Sequence, residues 1–209
     1  MTVVSDMKVR PYADAPRLPE GDAIDPRALV PGGTGLVELE IGPGRGGFLF
    51  ERLAVDPGIR MVGLEIRRKW ATIVDRRLAE RGLGERGRVF AEDARHALPR
   101  FVDGCFSHVY LHFPDPWWKK RHQKRLVLGQ SIVPELLRVL CPGGKLFIQT
   151  DVEERALGYE ELVSAHPGFA PAGETARIAE NPFGARSPRE HRAIADGLPI
   201  HRLLFVSRA

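Results

Sequence analysis

The sequence predicts a doubly wound α/β fold, a mostly parallel sheet with helices on both faces. Two observations carry that prediction. From Leu36 onward, short strand-like runs alternate with helical stretches. A glycine-rich segment, Gly42-Pro43-Gly44-Arg45-Gly46-Gly47, then falls between the first strand and the first helix, where such folds turn sharply against a ligand.

In chain order, strands are expected near Leu36–Ile41, Met61–Glu65, Arg88–Ala91, Phe106–Phe113 and Lys145–Thr150, with a late strand near His201–Val206 after a Gly197-Leu198-Pro199 turn. Helices are expected near Phe48–Val55, Arg67–Arg81, Leu126–Leu140 and Glu153–His166. Residues 1–34 carry Pro11, Pro16, Pro19, Pro26 and Pro31 with almost no apolar periodicity. They are expected to form an extended or partly disordered arm before a single domain over 35–209.

The chain has 209 residues, 43% of them hydrophobic and 28% charged, which suits one well-cored globular domain. Its +4 formal charge matters less than its distribution: the densest basic run lies between Lys119 and Arg125, a pattern that favours polyanions. Cys105 and Cys141 are isolated, and the seven histidines show no metal spacing, so a zinc site, a disulfide framework and metal hydrolysis lack an anchor. No GxSxG elbow is present for serine hydrolysis. With no signal-peptide pattern and no apolar run near the roughly 20 residues of a membrane span, the expectation is a reduced cytoplasmic protein with no membrane and no metal partner. Monomer and homodimer both stay open.

Acidic residues mark the strand ends. Glu65 ends the second strand, where a carboxylate accepts from both hydroxyls of a ribose; Asp93 follows the third and is positioned to meet an adenine edge. Gly42, Gly44 and Gly47 also satisfy GxGxxG, so a dinucleotide cofactor competes. Glu40, directly before the glycine loop, would oppose a pyrophosphate and suits a cationic, phosphate-free ligand such as the methionine moiety of S-adenosylmethionine. Gly42 and Gly44 are the expected backbone contacts to that cofactor.

The most distinctive stretch runs from Phe113 to Gln123. Two prolines stop a helix from starting after the fourth strand, so Asp115 is expected on a stiff loop, followed by Trp117, Trp118 and the basic run. Lys120, Arg121, Lys124 and Arg125 are candidate contacts to RNA backbone phosphates. Of the two tryptophans, one is expected to pack as core and the other to line the site. His112 and His122 are read as packed or solvent-facing, and Tyr110 as core.

Taken together, Glu38-Leu39-Glu40-Ile41-Gly42-Pro43-Gly44-Arg45-Gly46, Gly63-Leu64-Glu65, Asp93-Ala94, Phe113-Pro114-Asp115-Pro116-Trp117, Lys119-Lys120-Arg121-His122 with Lys124-Arg125, and Gln149-Thr150-Asp151 resemble the bacterial tRNA (guanine-N7-)-methyltransferases. The resemblance implies a Rossmann-like S-adenosylmethionine-dependent methyltransferase fold and methylation of guanine N7 in tRNA, at guanosine 46 of the variable loop. It implies that Glu40, Glu65, Asp93 and Asp115 line the cofactor site, with Asp115 also catalytic, and that Lys119 and Asp151 contact substrate. The family's Thr-x-x-Glu motif corresponds to Ser187-Pro188-Arg189-Glu190, which keeps the hydroxyl and the carboxylate and differs at both middle residues. Ser187 and Glu190 are thereby expected to meet the substrate base, Glu190 and Asp151 accepting from guanine N1–H and its amino group. The competing readings are methylation at another RNA position, a non-enzymatic RNA-binding protein that retains the fold, and an NAD-dependent oxidoreductase.

Overall fold

The structure, a computed structural model, describes residues 11–114 and 128–208. Its elements in chain order are α1 Pro26–Leu29, β1 Val37–Ile41, α2 Gly47–Val55, β2 Arg60–Leu64, α3 Arg68–Glu80, β3 Gly87–Phe90, α4 Ala94–Ala97, β4 Phe106–His112, α5 Val133–Val139, β5 Leu140–Thr150, α6 Glu153–Ser164, β6 Phe169–Pro171, β7 Arg177–Ile178, α7 Pro188–Ala195 and β8 His201–Ser207. Among the described residues the strands form one sheet in the order β3-β2-β1-β4-β5-β8-β6, with β7 beside β8. Strands β1 to β5 run parallel, and β8 enters antiparallel to β5 and β6. The α/β class and the parallel sheet are as the alternating pattern predicts.

With helices on both faces, all five residues of β1 and all five of β2 are buried. Alternate side chains serve the two faces. Leu39, Val109, Leu111, Leu146 and Ile148 join one core layer with α5 and α6, whereas Met61, Val89, Tyr110 and Phe147 join the other with α2 and α3. Helix α3 supplies that second layer with Ala71, Val74 and Leu78, which fall on one side at helical spacing.

The second face also holds a buried polar network. Arg52 donates to Glu38 Oε1 at 2.7 Å and to Glu38 Oε2 at 2.8 Å, and the Tyr110 hydroxyl donates to Oε2 at 2.8 Å. Burial and the adjacent Glu38 carboxylate hold the Tyr110 phenol well above its ordinary range. Burial likewise keeps the His108 imidazole neutral down to about pH 4.

The elements α1, α4, β6, β7 and α7 lie outside the expected set, and α5 and β5 take other bounds. Helix α5 begins at Val133, because Pro134 in its first turn has no N–H to donate to a preceding turn; the expected helical residues 126 and 127 lie outside the described residues. Strand β5 reaches back to Leu140 through a register shift opposite Phe106–His108. Helix α7 was not expected at all, although Ser187 as N-cap, Pro188 in the first turn and Glu190 at the third helical position spell out a helix start.

Residues 11–34 lie against the domain. Ala15, Leu18, Ile24 and Val30 are buried, Ile24 bridges to Phe101, and the Ala91 N–H donates to Pro16 O at 2.7 Å. Arg17 pairs with Glu92 at 3.0 Å.

Candidate functional site

The parallel strands bring their carboxyl ends to one edge, and the side chains there enclose a cavity of about 250 Å³. Its floor is the glycine loop. Gly42, Gly44 and Gly46 take positive φ values of 75°, 56° and 78°, the left-handed region that costs other residues about 1–2 kcal/mol. A Cβ at Gly42 would meet nothing within 4 Å, so the loop backbone lies open there. Gly47 answers a different need: a Cβ on it would come 2.3 Å from Pro188 Cγ, so only glycine lets α7 close over α2.

Glu40 is the second-to-last residue of β1 and is 2% exposed. Its Oε1 lies 3.1 Å from His112 Nδ1, while its Oε2 has no hydrogen-bond partner among the described residues. The His112 ring packs 4.1 Å from Phe48 and belongs to the cavity wall. Phe113 follows with φ 49°, a strained conformation for a non-glycine residue, stabilised by its N–H donating to Gln149 O at 2.7 Å. Such strain of about 1–3 kcal/mol concentrates at functional sites.

Helix α7 forms the roof. The Ser187 side chain caps it by accepting from the Glu190 N–H at 3.2 Å. Arg189 lies over the Phe113 ring at 5.3 Å and donates to Asp151 Oδ2 at 2.6 Å. Pro188 and Arg189 also border a neighbouring cavity of about 480 Å³, reached by Asp151, Arg192 and Leu198.

Among the residues the sequence singles out, the structure brings Glu40, Gly42 and Ser187 to one cavity and Asp151 to its neighbour. Glu65 is 2% exposed; it accepts from the Gly44 N–H at 2.9 Å and from Arg67, and so ties the glycine loop to the end of β2. Asp93 caps α4, and hydrogen bonding by Arg95 holds its carboxyl below the usual carboxylate range. Glu190 is turned away from both cavities. It is 0% exposed, accepting from Arg202 at 2.9 Å and from Asn181 Nδ2 at 2.9 Å.

Asp115, Trp117, Trp118, Lys119, Lys120, Arg121, His122, Lys124 and Arg125 lie outside the described residues. Sequence reasoning missed Phe113 and Arg189 as wall residues and read His112 as packed or solvent-facing. A Ser-Pro-x-Glu helix start was the available signal for Arg189; nothing local signalled the pairing of His112. Among the described residues no cluster of His, Cys, Asp and Glu is placed to hold a metal ion, and no helix is long and apolar enough to cross a membrane.

A family model described as "Putative methyltransferase" matches residues 34–203. The chain is similar to the tRNA (guanine-N(7)-)-methyltransferase of Myxococcus xanthus, 36% identical over 179 residues that span 85% of this chain and 86% of that protein. It is also similar to the enzyme of the same name in Anaeromyxobacter dehalogenans, 39% identical over 87% of this chain and 90% of that one. The chain belongs to the tRNA (guanine-N7-)-methyltransferase family. Among solved structures, 16S rRNA methyltransferase KamB superposes with a TM-score of 0.63 over 92% of this chain and 97% of that chain; at 14% identity this is a likeness of fold. In this member of the tRNA (guanine-N7-)-methyltransferase family, the glycine loop, Glu40 and the α7 roof thus border a cavity at the edge formed by the carboxyl ends of the parallel strands.

Proposed function

We propose that this enzyme transfers the methyl group of S-adenosylmethionine to N7 of guanine in tRNA, at guanosine 46 of the variable loop, in the cytoplasm. The observation that carries the cofactor assignment is Glu40 Oε2, a buried carboxylate oxygen with no partner among the described residues, beside an open glycine backbone. A dinucleotide would set its pyrophosphate against that charge, whereas a cationic amino-acid end compensates it. The residues present therefore fit S-adenosylmethionine.

When bound, S-adenosylmethionine supplies an electrophilic methyl on a sulfonium whose charge passes to the purine. Glu40 accepts from the cationic amino group, and the N–H groups at the start of α2, which has no side-chain cap, suit the carboxylate. Gly42 and Gly44 admit close backbone approach. Glu65 accepts from ribose hydroxyls with the lone pairs that Gly44 and Arg67 leave free, and Asp93 meets the adenine edge.

Guanine N7 carries an in-plane lone pair and is unprotonated near neutral pH, so the reaction needs alignment more than a base. Alignment contributes on the order of 7–11 kcal/mol in favourable cases. Asp115 orients the guanine and offsets the positive charge that the ring gains, with Asp151 as a second negative group. Asp151, Lys119, Ser187 and Glu190 form the substrate set. For Glu190 this requires α7 to release the Arg202 pair when RNA binds, since the carboxylate is enclosed without it. Lys120, Arg121, Lys124 and Arg125 contact the RNA backbone.

Incubation with methyl-labelled S-adenosylmethionine and an unmodified tRNA transcript, followed by borohydride and aniline cleavage, tests this reading. Label together with cleavage at a single variable-loop guanosine is expected. Label elsewhere, or none, would contradict it.

A further inference from the structure

Strands β1, β4 and β5 lie side by side, with Glu40 opposite Tyr110 and His112 opposite Gln149. Because alternate residues of a strand share a face, Glu40, Tyr110, His112 and Gln149 project to the same side of the sheet. Among the described residues, four polar atoms in this cluster have no hydrogen-bond partner: Glu40 Oε2, His112 Nε2 and both Gln149 side-chain heteroatoms. Gln149 is 0% exposed, and the His112 side chain is 4% exposed. Buried polar groups normally find partners, so a cluster of unpaired atoms below an open cavity marks a place built for a ligand.

We propose that His112 is a positioning residue that holds the Glu40 carboxylate so that Oε2 faces the primary ammonium of the cofactor's amino-acid end. The inference rests on the cofactor assignment above. Among the described residues His112, its Nδ1 3.1 Å from Oε1, is the one side chain within hydrogen-bond distance of the Glu40 carboxylate. Facing a carboxylate oxygen, Nδ1 carries the proton. The ring itself is fixed from its apolar sides, by Phe48 at 4.1 Å and by Phe147 at 5.9 Å, edge to face. Among the described residues the Gln149 side chain has no hydrogen-bond partner, so this β5 neighbour does not draw the imidazole from Glu40.

Without His112 the Glu40 side chain keeps its charge and loses its orientation. The effect must therefore appear in ligands that present an ammonium and be missing in ligands that lack one. S-Adenosylhomocysteine and 5′-methylthioadenosine share the adenosine thioether, and only the first carries the amino-acid end. His112→Phe keeps the aromatic packing and removes the donor, whereas His112→Asn restores an N–H near the position of Nδ1.

Calorimetric titration of the full chain with both ligands tests the proposal. His112→Phe is expected to weaken S-adenosylhomocysteine at least tenfold and leave 5′-methylthioadenosine within twofold, with His112→Asn recovering most of the loss. Equal losses for the two ligands, undiminished S-adenosylhomocysteine binding, or no recovery in His112→Asn would overturn it. A wild-type protein that binds neither ligand would overturn the cofactor assignment and this inference with it; failure of the variants alone touches only His112.

Discussion

Arg189 donates to Asp151 across 2.6 Å, which ties the first turn of α7 to the end of β5 at the wall between two cavities. A neighbouring pair on the same helix is built differently. Glu190, the next residue, reaches Arg202 at 2.9 Å with the two side chains 0% and 10% exposed, against 25% and 51% for Asp151 and Arg189.

That difference predicts unequal costs. Arg202→Met leaves a buried carboxylate without its cation and should destabilise by about 3–5 kcal/mol. Arg189→Met breaks a partly solvated pair and should cost under about 1 kcal/mol. Urea unfolding of the two variants decides it, and comparable midpoints would refute the assignment of Glu190 as a structural anchor in the free protein.

Closure of α7 over the glycine loop depends on Gly47. In Gly47→Ala the new Cβ would stand 2.3 Å from Pro188 Cγ and 2.6 Å from its Cδ. Overpacking of this kind costs about 1–3 kcal/mol. Adding Pro188→Ala removes both atoms, so the double variant should regain most of the lost stability. Simple additivity of the two losses in thermal unfolding would show that the contact is not the cause.

Several of these relationships were legible in the chain and others were not. Glu40, Glu65 and the glycine loop stood out because strand alternation ends at each of them, and such endings are local. The Glu40–His112 contact depends on the register of β1 against β4, which no local pattern encodes. Glu190 is a third case: its motif placed it at a substrate, but its partner Arg202 arrives from β8 only after the late strand inserts beside β5. Helix α7 is short and buries only Glu190 and Ala193, too few positions for a periodic signal. Residues 11–34 hold on through single buried side chains and backbone hydrogen bonds, which leave no periodicity to read.

A pH dependence of stability follows from His108. Burial lowers its pKa from an ordinary 6.5 to about 4. Between those values the unfolded chain binds a proton that the folded chain refuses. The contribution is therefore intact above pH 6.5 and is lost as the pH falls toward 4, by up to about 3 kcal/mol. His108→Phe should flatten this part of the profile in chemical unfolding series; an unchanged slope would mean that another group titrates there.

Glu40→Gln tests the charge argument. Losing a hydrogen bond to a charged group costs about 1.5–3 kcal/mol, so S-adenosylhomocysteine should bind roughly 10- to 150-fold more weakly. The fold should persist, because the amide keeps the shape of the side chain. Equal affinity by titration calorimetry would remove the carboxylate from the cofactor site.

The most direct measurement of the central claim replaces one atom of the substrate. A tRNA transcript bearing 7-deazaguanosine at position 46 keeps the shape and pairing edge of guanine and lacks the N7 lone pair. With methyl-labelled S-adenosylmethionine, the unmodified transcript should accept label and the deaza transcript none, while binding the enzyme equally well. Undiminished labelling of the deaza transcript would show that methyl transfer goes to another atom or another nucleotide, and would contradict the account.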